Sequence, residues 1–407
     1  MSALPWGPAD RTGLEPVPGG ITAVPGIRAG GVASGVKPSG REDLALVAAD
    51  DVAGTAVVTT TNLIKAPSCR LTERHAADGR ARAIVVNAGN ANVCTPHGDA
   101  HAARLSAATA AELGIADEDV LVMSTGVIGV ELPIKRIEAA LPDVVADLDH
   151  DGGNRAARAM LTTDTRTKEV AVRVTDEQGG SCTVAGMAKG VGMIEPAMAT
   201  LLVVLTTDTP LGGPVLRRVL RSAVGTTFNR ISIDGDGSTS DTVAVLATGT
   251  ASQPPGLETV ARGIQAVCAD LAHAVVADGE GASRVAAITV HDAPTEDEAA
   301  TLARAVATSL LVRAAIHGAD PNWGRILMAM GGAGVDFDPG RVSVSCGGVT
   351  VCRFGVAASF DRGQAAAAMD RPEVTIDIGL GAGDARATML TCDLTPEYVR
   401  FNAEYTT

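Results

Sequence analysis

The chain has 407 residues, 46% hydrophobic but only 2% aromatic, and a formal net charge of −14 at pH 7. That length suffices for two or three domains with substantial cores, here built from Ala, Val, Leu and Ile packed closely with Gly. Diffuse acidity without a basic cluster excludes nucleic acid as a partner, and no apolar run approaches the ~18 residues of a membrane helix.

Residues 1–20 are rich in Pro and Gly and are expected to wrap the surface. The opening M-S-A-L-P-W-G-P-A-D has neither the basic patch nor the apolar stretch of an export signal. Seven dispersed cysteines (69, 94, 182, 268, 346, 352, 392) without a C-x-x-C pair fit reduced thiols in a cytoplasmic protein. Short apolar runs then recur at Thr55–Thr59, Ala83–Val86, Val120–Met123, Leu201–Leu205, Val243–Ala247 and Val285–Val290. Bounded by Gly, Asn or Asp, they read as buried strands. A helix is expected around Pro133–Leu141. Leu257, Val260, Ile264, Val267, Leu271 and Val275 recur at helical spacing. Another helix starts near Thr295, with Glu296, Asp297 and Glu298 at its positive end, and runs to Gly318. From Val342 to Leu394 the pattern turns mainly strand-like. The sum is a layered α/β architecture.

Two segments invite chemistry. Lys189–Thr200 reads K-G-V-G-M-I-E-P-A-M-A-T and runs directly into the Leu201 strand. Gly190, Gly192 and Pro196 make a loop that can bend sharply. A cut between Ala199 and Thr200 would put a hydroxyl and a free α-amine on one residue, a nucleophile with its own base. A plain loop entering a core strand explains the same residues. Ser124–Gly129, S-T-G-V-I-G, ends a strand before a helix. Its backbone can approach a ligand and aim amides at a developing oxyanion, or it is an ordinary turn.

Other signals point away from nucleotides and metals. There is no G-x-x-x-x-G-K-[ST], H-E-x-x-H or G-x-S-x-G. His97 and His101 are four apart, two ligands without a third, so no metal site is expected. Gly379, Gly381 and Gly383 read as a turn.

G-M-A-K-G-x-G-M-I-x-P-x-M-A-T-[LM]-L resembles the self-cleavage site of the ornithine acetyltransferases, the bifunctional glutamate N-acetyltransferases of arginine biosynthesis. Further segments match that family in order: N-A-G-N-A-N at 87–92, T-T-D-T at 162–165, F-N-R at 228–230 through Asp241-Thr242, D-G-E-G-A at 278–282, D-P-N-W-G-R at 320–325 and the tail N-A-E-Y-T-T at 402–407. The resemblance spans Gly20 to Thr407. It departs at Glu195, where many members carry a small apolar residue, and at Ser240, where Asn is frequent.

The resemblance implies an αββα sandwich of the N-terminal-nucleophile type over 1–282, with a smaller α/β domain at 283–407. It implies self-cleavage between Ala199 and Thr200 into an α chain (1–199) and a β chain (200–407). Thr200 is then the nucleophile and Thr125 and Gly126 the oxyanion hole. Thr162 (in preference to Thr163), Lys189, Thr200, Glu280, Asn402 and Thr407 line the substrate pocket. Lys189 suits pairing with a substrate α-carboxylate and Glu280 the ornithine side-chain ammonium, although the residues leave open which end of the substrate Glu280 contacts. The implied activity moves acetyl from N2-acetylornithine to L-glutamate, with acetyl-CoA an optional donor and no cofactor. The implied assembly is an α/β heterotetramer or larger. The residues leave open a specialised secondary-metabolism acyltransferase, a self-cleaving aminopeptidase or amidase, and a non-catalytic amino-acid-binding protein.

Overall fold

The structure, a computed structural model, describes residues 11–195 and 201–404. Along the chain come β1 (Leu14–Pro16), β2 (Ile27–Val32), β3 (Leu44–Thr59), α1 (Pro67–His75), β4 (Arg80–Asn90), α2 (Gly98–Leu113), β5 (Val120–Val127), α3 (Ile134–Ala146) and α4 (Gly153–Met160). There follow β6 (Lys168–Thr175), β7 (Ser181–Lys189), β8 (Leu202–Thr207), α5 (Gly213–Thr226), β9 (Ile231–Ser232), β10 (Thr242–Ala247) and α6 (Leu257–Ala277). The last third contains β11 (Val285–Ala293), α7 (Glu296–Thr308), α8 (Leu310–His317), α9 (Trp323–Gly331), β12 (Ser343–Cys346), β13 (Val349–Arg353), β14 (Val356–Ala357), α10 (Arg362–Met369), β15 (Glu373–Gly379), β16 (Ala385–Cys392) and α11 (Pro396–Glu404).

Two compact units result. One holds the described residues through 229 together with 236–275; the other holds 230–235 and everything described from Val276 on. The division thus falls a few residues before the one expected after 282. The short segment at 230–235 joins the second unit because β9 pairs in parallel with β16.

The larger unit is organised by the 16 residues of β3. Its first half pairs with β2 and β4; past an irregularity between Ala48 and Ala53, its second half pairs with β10. The strand order is β1-β6-β7-β8-β10-β3-β4-β5, with β2 also on β3. Successive strand residues point to opposite faces. One face of both halves meets in a single core: Val47, Ile84 and Met123 from one half, and Met187, Val204 and Ala244 from the other, together with Met160 of α4. The opposite face of the β3–β5 half carries Leu46, Val85 and Val122 against Leu105 of α2 and Ile137 and Val144 of α3. On the other half α6 lies over β7 at Gly186, where an added Cβ would come within 2.9 Å of Leu271 Cδ1. The layers therefore run helix, strand, strand, helix. α6 spans 21 residues at a mean hydropathy of 1.3, long and apolar enough to cross a membrane by length and composition. It does not need to: Val260, Ile264, Val267, Leu271 and Val275 are all buried against the sheet.

The smaller unit is a sheet in the order β14-β13-β12-β15-β11-β16-β9, whose core joins Ile288, Val290, Ile376 and Met389 to Leu302 and Val306 of α7 and Met330 of α9. The helix expected from Thr295 to Gly318 is two helices meeting at a 63° bend. Thr295 caps the first through the Glu298 amide and Ser309 caps the second through the Val312 amide. A serine hydroxyl that satisfies a new helix start makes a break without Gly or Pro. The glycine run at 379–383 joins β15 to β16, a turn.

Candidate active site

The candidate site grows from the ends of the paired strands β4 and β5 and from the end of β7. β4 and β5 run parallel, and at their C-terminal ends Gly89 lies opposite Gly126 while Asn90 faces both Thr125 and Val127, an irregular register. Gly126 has φ +127°, and a Cβ there would sit 2.3 Å from the Gly89 carbonyl carbon and 2.5 Å from Asn90 N. Only glycine fits so close a backbone approach. The N-A-G-N-A-N segment holds this corner with amide side chains. Asn87 accepts from Ser124 Oγ at 2.6 Å, and its own amide donates to Asn90 O at 2.8 Å. Asn90 donates to Val130 O at 3.0 Å and Asn92 to Gly98 O at 2.8 Å.

Thr125 is buried, and Lys189, the last residue of β7, donates from Nζ to Thr125 Oγ1 at 3.3 Å. An ammonium can only donate, so Thr125 Oγ1 accepts, and its own proton is left to be donated elsewhere. The contact thus orients the hydroxyl as a donor with a cation behind it.

Asp164 organises the neighbouring loops. Its Oδ1 accepts from Lys168 Nζ at 2.7 Å and from Gly190 N at 2.8 Å; its Oδ2 accepts from Thr162 N at 3.1 Å. Burial by itself would raise its pKa, but the Lys189 and Lys168 ammonium groups and the bonds from Lys168 and Gly190 outweigh burial and hold it down at about 2. The T-T-D-T segment therefore ties the Gly190 loop to the end of α4. Thr162 is half-buried, its hydroxyl 3.5 Å from Asp164 Oδ2.

Lys37 is a third buried cation in this region, donating to Ala159 O at 3.3 Å. Burial lowers its pKa to about 8, with Asp43 pulling the other way and Lys189 adding to the depression. Asp241, immediately before β10, is fully buried, and its Oδ1 accepts from Leu201 N at 2.6 Å. Burial raises its pKa well above the carboxylate range, opposed by the Leu201 bond and by Lys189. Lys37, Lys168 and Asp241 were not singled out from sequence. Nothing local marks a lysine for burial, and Lys168 with Asp164 has helical spacing in a segment that is not a helix.

Thr200, Ala199 and Thr407 lie outside the described residues. Leu201, one peptide bond after Thr200, is described, and Leu202 stands in register with Lys189 on one side and Thr242 on the other. In the second unit Asn402 Nδ2 donates to Glu280 Oε2 at 3.1 Å, bringing those two expected residues together. His97 and His101 both face Glu131, at 2.8 and 3.3 Å. Among the described residues no group of three or more His, Cys, Asp and Glu is arranged to hold a metal.

The family model for ArgJ matches residues 28–407. The chain belongs to the ArgJ family. Curated relatives cover it nearly end to end. The arginine biosynthesis bifunctional protein ArgJ of Symbiobacterium thermophilum is 42% identical over 97% of this chain and 100% of its own length. ArgJ 1 of Streptomyces clavuligerus is 44% identical over 95% and 99%. Among solved structures, ArgJ of Bacillus halodurans aligns with TM-score 0.48 and 34% identity, over 50% of this chain and 98% of that one. The ornithine acetyltransferase of Mycobacterium tuberculosis, complexed with ornithine, aligns with TM-score 0.41 and 38% identity, over 45% and 98%. The strand order and helix, strand, strand, helix layers of the larger unit are the layered α/β fold that the resemblance implied.

Proposed function

We propose that this ArgJ-family chain moves an acetyl group from N2-acetylornithine to L-glutamate through an acetyl ester on Thr200. The observation that carries the reading is family membership along nearly the whole of both chains. The buried Lys189–Thr125 contact beside Gly126 supplies the chemistry. In this reading Thr200 Oγ first attacks the Ala199 carbonyl, the resulting ester is hydrolysed, and chains 1–199 and 200–407 remain together. The freed α-amine has an ordinary pKa of about 7.7–8.0, suited to taking the hydroxyl proton near neutral pH.

Thr200 Oγ then attacks the acetyl carbonyl of N2-acetylornithine. The α-amine takes the hydroxyl proton and the tetrahedral oxyanion is met by Thr125 Oγ1–H and the Gly126 amide. Collapse breaks the C–N bond, and the departing α-nitrogen of ornithine takes the proton back. L-Glutamate enters, its α-amine attacks the ester, and Thr200 Oγ leaves with a proton. Each donor to the oxyanion contributes about 2.7–4 kcal/mol to lowering the barrier. The buried cations Lys37, Lys168 and Lys189 near Asp164 are the groups available to an amino-acid carboxylate in this corner. Thr162 and Lys189 are assigned to the substrate, as are Glu280, Asn402 and Thr407. Acetyl-CoA is assigned as a second acetyl donor. The six buried cysteines and one exposed cysteine, all free, suit a cytoplasmic setting. We also assign an α/β heterotetramer or larger, on family resemblance.

Intact mass under denaturing conditions tests the first step. Fragments ending at Ala199 and starting at Thr200 are expected, with acetyl appearing on the second after N2-acetylornithine is added. A single 41.1 kDa species that never gains acetyl would overturn the proposal.

A further inference from the structure

In the smaller unit one buried hydroxyl joins the segment that carries Glu280 to the helix that carries Asn402. Thr395 stands immediately before α11 and is 5% exposed. Its Oγ1 accepts from Tyr398 N at 3.2 Å, which caps the start of α11, and donates its one proton to Gly281 O at 2.7 Å. The helix so capped bears Asn402, and the carbonyl so held belongs to the residue after Glu280. The two segments also meet backbone to backbone: Gly281 has φ +69°, and a Cβ there would lie 2.5 Å from Tyr398 N. Asn402 spends both amide hydrogens here, one on Glu280 Oε2 and one on Tyr398 O, each at 3.1 Å. The far end of the Glu280 segment is pinned separately. Asp393, directly after β16 and buried, accepts at Oδ1 from Ser283 N at 2.8 Å and from Arg284 N at 2.9 Å. Its own N donates to Arg284 O at 3.2 Å. Asn402 is exposed while Thr395 and Asp393 are buried, so an accessible polar pair rests on a support closed to water.

We propose that Thr395 is a positioning residue for the amino-acid substrate: its hydroxyl fixes Glu280 relative to Asn402, and so sets the affinity of that pair for N2-acetylornithine. This deepens the acetyl-transfer reading and rests on its assignment of Glu280 and Asn402 to substrate. A carboxylate and an amide held in one geometry bind a polar group more tightly than the same groups on loose segments, because less ordering is left to occur on binding. Asp393 holds the other end of the Glu280 segment, so losing the Thr395 hydroxyl frees the turn next to Glu280 without releasing the whole segment. Thr395 acts through Glu280 and Asn402, not on the reacting atoms. Its loss should therefore weaken substrate binding and spare the chemical step.

The test compares Thr395→Val, which keeps the shape but loses both bonds, with Thr395→Ser, which keeps the hydroxyl. Each is made in the full chain, alone and with Glu280→Gln. Circular dichroism reports folding, and initial rates with N2-acetylornithine and L-glutamate give kcat and KM. Folded Thr395→Val should raise KM for N2-acetylornithine at least about fivefold, the scale of one lost hydrogen bond, with kcat within about twofold. Thr395→Ser should restore the wild-type KM. Beside Glu280→Gln, Thr395→Val should add little further loss, because residues acting through one contact are not additive. An unchanged KM in folded Thr395→Val overturns the proposal. So does a fall confined to kcat, a Thr395→Ser chain as weak as Thr395→Val, or a full second loss beside Glu280→Gln. If Thr395→Val does not fold, Thr395→Ala is read by the same criteria. A wild-type KM in Glu280→Gln would overturn the underlying assignment of Glu280 to substrate, an outcome distinct from a weakened Glu280→Gln beside an unaffected Thr395→Val.

Discussion

Replacing Asp164 with Asn removes a carboxylate bonded to both Lys168 and Gly190. The structure sets the magnitude. Both side chains of the Asp164–Lys168 pair are completely buried, so solvent screening does not discount the interaction. A carboxyl held at about 2 instead of its ordinary 3.8 is stabilised by roughly 2 kcal/mol relative to the unfolded chain, at about 1.36 kcal/mol per pH unit. Every group bonded to Asp164 is a donor, so an asparagine amide turns its NH2 toward at least one of them and leaves a buried donor unmet, at about 1–3 kcal/mol. The total, roughly 3–5 kcal/mol, matches the usual cost of removing one partner of a buried ion pair. Urea unfolding followed by circular dichroism at several pH values is the assay. Because the folded-state pKa is depressed, the advantage of Asp164 is complete well above pH 3.8 and shrinks as pH falls through about 2. The gap between wild type and Asp164→Asn should therefore be widest near neutral pH and narrow in acid. A gap below about 1 kcal/mol at pH 7, or one that does not narrow in acid, would refute the reasoning.

Gly126→Ala must push the Gly89–Asn90 backbone away from contacts of 2.3 and 2.5 Å and strain a positive φ by about 1–3 kcal/mol. Acetylation of Thr200 should slow by about 10²-fold or more while cleavage and melting are followed in parallel; a wild-type acetylation rate would contradict the assigned oxyanion hole. Lys189→Met removes the donor to Thr125 and one of the cations beside Asp164. We expect acetylation to slow at saturating N2-acetylornithine, and a change confined to KM would limit Lys189 to substrate binding. Thr200→Ala should abolish both cleavage and acetyl transfer, read by intact mass and by product formation; retention of either separates the two steps. Initial rates with both substrates varied should give the parallel lines of ping-pong kinetics, whereas intersecting lines would require a ternary complex.

The most legible features were those set by local chemistry. The buried strands Val120–Val127 and Leu202–Thr207, and the α6 helix, follow from apolar period and from breakers at their ends. The T-G of Thr125–Gly126 was marked by its resemblance to the family's segment, and the positive φ with a backbone contact under 3 Å that leaves room only for glycine at 126 belongs to the structure. The helix expected to run to Gly318 was cut at Ser309 because a capping hydroxyl can start a helix wherever the tertiary packing asks for one.

What only the tertiary structure decided is which charges share a buried corner. Lys37, Lys168, Lys189, Asp164 and Asp241 are spread over more than 200 positions, and of these only Lys189 was expected in the pocket from the sequence. The shifted pKa values of Lys37, Asp164 and Asp241 come from loss of water and from Coulomb partners that the fold brings close. β3 shows the same division of labour. Its apolar content marks a strand, but the irregularity that carries it from β4 and β2 to β10, and so stacks the two halves over one core, depends on partners elsewhere in the chain. Local sequence determined strands, caps and glycine corners, because sterics and periodicity act over a few residues. The buried charge network needed the fold, because desolvation and electrostatics depend on distance through space.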